Sequence, residues 1–300
     1  MRSSQDSLLR QLEQRGYTIS TFSVESVGSY AIEDADWNYK DVPHVNIVHT
    51  QVRTIIATMD DDVICTINLQ KILGIPFPVA LVNYATSETS QTYFTTMGPY
   101  ALVVYTEYFA IEKNRTRVVT TYNIAAKGWP RLAFPLLRRI IQKNYRVLMS
   151  EDLPMRDRRG ELRERGLHFA SDGRSRTFPE TTQLMVDNVV VPPRQGSSEV
   201  AIQISDLPAD GSALTVGTND DRGLALVREG DSVLALPRMC PHEGASLDCA
   251  TVKQGKLTCP WHARLIKPLA TVTLSEGNSA TFGAYAARVE QGQLFVRLPQ

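Results

Sequence analysis

Cys240-Pro241-His242-Glu243-Gly244-Ala245-Ser246-Leu247 is followed, further along the chain, by Leu257-Thr258-Cys259-Pro260-Trp261-His262. The first stretch is a C-x-H pair and the second a C-x-x-H pair, with sixteen residues between His242 and Cys259. Together they offer two thiolates and two imidazoles to metal. Gly244 and Pro260 suit tight turns that aim backbone N–H groups at a sulfur-bound centre. A structural zinc site draws on the same ligand types. Zinc fingers, however, keep Cys with Cys and His with His and follow the second pair with a helix, whereas here each pair is mixed and the flanks read as strands.

The two stretches resemble the Rieske family. There one iron of a [2Fe–2S] cluster takes two Cys and the other takes two His, which raises the reduction potential. By that resemblance Cys240, His242, Cys259 and His262 are the cluster ligands. The surroundings agree in length and pattern. Short strands are expected at 200–204, 224–228 and 232–237, and a closing hairpin at 286–298 turns at Gln291-Gly292. The positions that carry an extra disulfide in respiratory-complex Rieske proteins are Ala245 and Trp261 here. That favours the lower-potential oxygenase or ferredoxin type. Two details depart from the oxygenase pattern: Ala263 stands where Gly is common, and 264–268 lacks the usual Gly-Trp-x-Phe.

Upstream the text changes. An amphipathic helix is expected over 6–15, ended by Gly16. Pro43 opens a short helix that contains His44 and His49. Strands then follow at 52–59, 63–69, 79–84, 91–96, 101–111 and 117–124, separated by turn residues such as Asp60-Asp61-Asp62, Gly74-Ile75-Pro76 and Met97-Gly98-Pro99. A long helix enters near Pro135 and runs to about Leu153, where Pro154 is expected to break it. A second charged helical piece, 155–165, ends at Gly166 and reads as a solvated face. A curved antiparallel sheet followed by a long helix resembles the helix-grip (START-like) fold, which holds an apolar cavity. The expected class is α+β, with a helix-grip domain over 1–190, a linker over 191–198 (Val191-Pro192-Pro193-Arg194-Gln195-Gly196-Ser197-Ser198) and an all-β Rieske domain over 199–300.

The chain has five histidines. His44 and His49 fall in Asp41-Val42-Pro43-His44-Val45-Asn46-Ile47-Val48-His49, a D-x2-H-x4-H pattern. Rieske non-haem iron (aromatic-ring-hydroxylating) oxygenases show the same spacing, and they couple a Rieske domain to a helix-grip domain. The resemblance therefore spans both domains, in reversed order, with the helix-grip domain first. Such an Fe(II) site needs two His and one carboxylate on one face, leaving positions open. Five residues on a regular helix turn by about 140° net, so a helix distortion or a His at the helix entry is required. Ile141, Tyr145, Leu148 and Asp152 share one helix face, and a carboxylate continuing an apolar stripe fits a ligand. His44, His49 and Asp152 are thus the expected mononuclear iron ligands. By resemblance Asp41 bridges towards His242 or His262 and helps carry the electron between centres. His168 reads as structural.

Formal net charge is zero and 43% of residues are apolar, which argues against a nucleic-acid partner. Four cysteines do not make a secreted disulfide framework. Cys65 reads as an inert buried thiol and Cys249 as a free one. No signal peptide or membrane-spanning run is visible, so a cytoplasmic protein is expected. The resemblance implies an oxygenase. A ferredoxin or flavin reductase would supply electrons to the [2Fe–2S] cluster. O2 would be the co-substrate at Fe(II), and an apolar small molecule would be hydroxylated, demethylated, desaturated or cyclised. A head-to-tail homotrimer is the family's arrangement; with the order reversed, electrons could cross between subunits or within one chain. The alternative is a Rieske electron carrier fused to a non-catalytic domain that binds a hydrophobic ligand.

Overall fold

The computed structural model describes residues 2–60, 63–72, 74–169, 172, 189–190, 197–208, 212–248, 250, 252–253 and 256–299. Residues 191–196 of the expected linker, and Cys249, lie outside them. The chain divides into two compact units, residues 1–161 with 171–184 and residues 162–170 with 185–300. Residues 162–170 thus group with the C-terminal unit, whereas the sequence reading assigns them to the first domain.

The first unit begins with α1 (Arg2–Gln14), closed at Gly16, and β1 (Thr18–Gly28). Two short helices follow, α2 (Ile32–Lys40) and α3 (Val42–Val48). Then come β2 (Val52–Asp60), β3 (Val63–Ile72), β4 (Ile75–Ser87), β5 (Ser90–Met97), β6 (Tyr100–Glu112) and β7 (Arg115–Ala126). All pair antiparallel in the order β1-β7-β6-β5-β4-β3-β2. Period-two alternation sets the faces. Phe22 of β1, Leu102 and Val104 of β6 and Ile124 of β7 form one apolar cluster, met by Phe134, Leu137 and Ile141 from the long helix α4 (Phe134–Glu164). A seven-stranded sheet gripping one long helix is the helix-grip architecture, and the whole chain is α+β.

Four expectations need correction. Pro154 does not end the helix; α4 runs unbroken through it for 31 residues. The lost backbone hydrogen bond costs roughly 3 kcal/mol, but buried side chains on both sides of Pro154 (Tyr145, Met149, Asp152, Met155, Arg156, Arg159) hold the helix in place. The run after Pro154 is not a solvated face either, because Arg156 and Arg159 are 0% exposed. Gly74-Ile75-Pro76 is not wholly a turn, since β4 starts at Ile75. Cys65 is exposed rather than buried, because the alternation of β3 puts Ile64 and Thr66 inward. Helix α2 is an element the sequence pattern does not signal. Its buried positions are Asp34, Ala35, Asn38 and Lys40, so no apolar stripe announces it.

In the second unit β8 (His168–Phe169) pairs with β9 (Val189–Val190), and His168 is exposed. The remaining strands are β10 (Ser197–Gln203), β11 (Ala213–Val216), β12 (Leu224–Glu229), β13 (Ser232–Pro237), β14 (Val252–Lys253), β15 (Lys256–Thr258), β16 (Leu265–Ile266), β17 (Ala270–Thr273), β18 (Ser279–Phe282), β19 (Tyr285–Glu290) and β20 (Gln293–Pro299). They form sheets β10-β20-β19-β18, β11-β12-β13-β17 and β14-β15-β16. The first two share a core that includes Ile202, Leu226, Val272 and Leu294. The closing hairpin turns at Gln291 and Gly292, both with positive φ, as the sequence predicts.

Candidate metal centres

In the first unit His44 lies inside α3, while His49 is the residue that caps its C-terminus, with extended φ −84° and ψ 133°. The helix ends just before the second histidine. The two rings nonetheless meet edge to face. The Nε2 atoms of His44 and His49 are 3.1 Å apart, and each lies 3.4 Å from Asp152 Oδ1. Those edges give a triangle whose corners lie about 1.9 Å from its centre. These three donors could hold one ion with first-row metal bonds of about 2.1 Å. His44 and Asp152 are buried, at 2% and 4% exposure.

A second layer of carboxylates aims the imidazoles. Glu151 Oε2 lies 3.0 Å from His49 Nδ1, and Glu151 Oε1 accepts from Thr50 N (3.2 Å) and Thr50 Oγ1 (2.6 Å). Asp41 Oδ2 lies 3.3 Å from His44 Nδ1. At His49 the carboxylate on Nδ1 holds the proton there and leaves the Nε2 lone pair for metal, whereas Asp41 sets its charge beside His44 Nδ1 without hydrogen-bond geometry. Burial alone would push His44 down, but Asp152 and Asp41 outweigh it and bring its pKa up to about 9. Burial alone would raise Asp152, but His44 and Arg156 more than offset this and hold it below the usual carboxylate range. Burial lowers His49. Asn38 Nδ2 donates to Asp152 Oδ1 at 3.3 Å, and Arg156 Nε donates to Asn38 Oδ1 at 2.8 Å.

The second unit holds the Cys/His loops, and they are built alike. In one, Cys240 N donates to Ala245 O (2.8 Å) and Gly244 N to Cys240 O (2.9 Å); in the other, Cys259 N donates to Arg264 O (2.8 Å) and Ala263 N to Cys259 O (2.9 Å). Each loop is closed by a β-bridge at the same offsets from its cysteine, Met239 with Ser246 and Thr258 with Leu265. Each also carries a left-handed residue four positions after the cysteine, Gly244 at φ +78° and Ala263 at φ +53°. Backbone N–H groups at the same two offsets point at sulfur: His242 and Glu243 at Cys240, Trp261 and His262 at Cys259. Such donors stabilise thiolates. The first loop is clamped by a bidentate Arg238–Asp248 pair (2.8 and 2.6 Å).

The two loops bring like ligands together. His242 Nδ1 and His262 Nδ1 are 3.3 Å apart with their rings at 83°. The Cys240 and Cys259 sulfurs lie against one another, and their mutual contact pushes one thiol, Cys259, down and the other, Cys240, up. Both cysteines are 1% exposed. A pair of thiolates on one side and a pair of Nδ1 atoms on the other is the donor set required by a cluster with one iron on two cysteines and the other on two histidines. The residues present fit the group.

The structure thus gathers His44, His49 and Asp152 at one point, sets Asp41 behind His44, and pairs His242 with His262 and Cys240 with Cys259. Three residues around the first site escape the sequence reading. Glu151 points off the stripe, and Asn38 sits in the unsignalled helix α2. Arg156 has a usable signal: it continues the stripe of Tyr145, Leu148 and Asp152 by one further step of four.

Residues 198–280 match the Rieske [2Fe-2S] domain family. No curated protein matches the chain as a relative. Among solved structures it is similar to a Streptomyces ZhuI aromatase/cyclase, at 11% identity and TM-score 0.44, over 47% of this chain and 96% of that one. It is also similar to a START superfamily protein from Mycobacterium smegmatis, at 10% identity and TM-score 0.38, over 46% of this chain and 97% of that one. The C-terminal part is therefore a Rieske domain, a fold for iron–sulfur electron transfer. No helix among the described residues is long and apolar enough to cross a membrane.

Proposed function

We propose that the chain is a Rieske-type oxygenase in which a single Fe(II) in the helix-grip unit is the electron acceptor and O2 the co-substrate. The observation that carries the reading is the triangle of His44 Nε2, His49 Nε2 and Asp152 Oδ1, with edges of 3.1, 3.4 and 3.4 Å. Three buried donors on one face, two imidazoles and one carboxylate, are the ligand set of oxygen-activating iron. When bound, the iron and the [2Fe–2S] cluster supply the redox chemistry by which a small organic molecule is oxidised.

The chain's own residues prepare the site. Glu151 keeps the Nδ1 side of His49 occupied, so that its Nε2 faces the metal, and Asp41 places a negative charge beside His44. Asn38 supports Asp152, and Arg156 Nε in turn holds Asn38. Asp41 is the residue proposed to pass the electron into the site. Cys240, His242, Cys259 and His262 are the proposed cluster ligands, and a ferredoxin or flavin reductase is the proposed donor to them.

Metal analysis tests the reading. Purified wild type should carry about three irons per chain, two in the cluster and one mononuclear. The His44→Ala/His49→Ala double variant should carry about two and keep the visible and EPR spectrum of the cluster. A wild-type content of two, or a double variant that loses no iron, would leave an electron carrier joined to a ligand-binding domain.

A further inference from the structure

Arg156 differs from the neighbouring buried arginine of the first unit. It is fully buried, as is Arg159 one turn further along α4. Arg159 is matched: its Nε lies 2.8 Å from Asp34 Oδ1, and its guanidinium stacks 4.2 Å over Trp37. Arg156 spends only Nε, on Asn38 Oδ1 at 2.8 Å. Its two terminal nitrogens have no hydrogen-bond partner. The nearest acid, Asp152 Oδ2, is 3.6 Å from Nη2, too far for a good hydrogen bond. Native proteins rarely leave ionised donors buried and unused.

The unused donors form a group. Ser26 Oγ, Tyr30 Oη and Tyr145 Oη are likewise buried without a hydrogen-bond partner. Tyr30 lies within weak hydrogen-bonding reach of Arg156 and Ser26, and Tyr145 of Ser26, but none of these contacts has the geometry of a full hydrogen bond. The guanidinium lies between the rings of Tyr39 (4.7 Å) and Tyr30 (5.8 Å). A cation, three hydroxyls and aromatic faces call for an acceptor with negative charge on an aromatic or otherwise apolar body. A metal on Asp152 would draw that carboxylate's charge to itself and strengthen the call for an anion.

We propose that the helix-grip unit binds a ligand carrying an oxyanion, held by the terminal nitrogens of Arg156 beside the hydroxyls of Ser26, Tyr30 and Tyr145. The inference rests on the oxygenase reading only for calling this ligand the substrate; the binding itself needs no iron. It also revises the expected ligand from simply apolar to apolar with an acidic oxygen group.

Two fluorescent probes with the same ring system test it. 8-Anilino-1-naphthalenesulfonate carries an oxyanion, and N-phenyl-1-naphthylamine does not. Wild type should bind the sulfonate at least tenfold more tightly than the neutral amine. Arg156→Met should lower sulfonate affinity at least tenfold and leave the amine within about twofold. Arg156→Lys keeps the charge and should retain most of the preference, which guards against a methionine variant that fails to fold. Equal binding of both probes by wild type, no binding of either, or an unchanged ratio in Arg156→Met overturns the proposal. The His44→Ala/His49→Ala variant should keep the preference, so loss of the iron site and loss of the oxyanion site are read separately.

Discussion

Gly244 and Ala263 occupy the same place in two loops of the same shape, yet only one is glycine. A Cβ on Gly244 would sit 2.4 Å from Leu162 Cδ1, and its φ is +78°. Ala263 already carries a Cβ at φ +53°. Left-handed backbone costs a non-glycine residue about 1 kcal/mol or more. Ala263→Gly is therefore expected to raise stability by up to about 1 kcal/mol in denaturant unfolding, because strain relief exceeds the entropy given back to the unfolded chain. Gly244→Ala should lower it by about 1–3 kcal/mol. Opposite signs at equivalent positions are the expected result; equal effects would contradict the matched geometry. At the first site, Glu151→Gln weakens the hold on His49 Nδ1 and on Thr50 without touching a ligand atom. Metal affinity should drop about 10- to 100-fold, measured by chelator competition, while the cluster spectrum stays unchanged.

At the scale of elements, α4 is the member that organises the first unit. Its N-terminal half fills the sheet through Phe134, Leu137 and Ile141. Its middle presents Glu151, Asp152 and Arg156, and its later turns anchor α2 through Arg159 and Asp34. Asp157 accepts from Ser29 N at 2.7 Å and ties the end of β1 to the same helix. The Arg159–Asp34 pair has no exposure on either side chain. Removing one partner strands the other charge, and Asp34→Ala should cost about 3–5 kcal/mol. The loss should be seen as a drop in thermal midpoint, together with weaker metal binding, because α2 also carries Asn38 onto Asp152. A variant with unchanged metal affinity would separate α2 from the site.

For the whole molecule, pH should couple the proposed single-metal site to stability. The folded pKa of His44, about 9, lies above the ordinary 6.5. A raised pKa stabilises the folded state fully below pH 6.5, and that contribution fades as pH rises through about 9. It corresponds to about 3 kcal/mol. Protein stripped of the single metal should therefore lose stability from pH 6.5 to about 9 in denaturant unfolding. Over the same window metal affinity should rise, since the ion no longer has to displace the proton from His44. Stability that stays flat across this range would show that Asp152 and Asp41 do not hold a charged imidazole.

The residues that the structure gathers into the two candidate metal centres were legible in the chain itself. Two mixed Cys/His pairs, the D-x2-H-x4-H run and a carboxylate on an apolar stripe stand out because a metal-ligand set demands particular residue types. The strands were legible for a related reason: burial of one sheet face imposes a period of two over six successive segments. What the tertiary structure alone decided was which polar groups are inside. Helix α2 hides Asp34 and Asn38, and the charged run after Pro154 hides Arg156 and Arg159. Hydrophobic periodicity cannot announce a helix whose inward positions are polar, because those residues are buried by partners from distant parts of the chain. Pro154 stayed helical for the same reason, since packing along both halves of α4 outweighs one lost hydrogen bond. The meeting of His49 with Asp152 is tertiary as well, because only the packing of α4 brings that carboxylate in from a distant part of the chain.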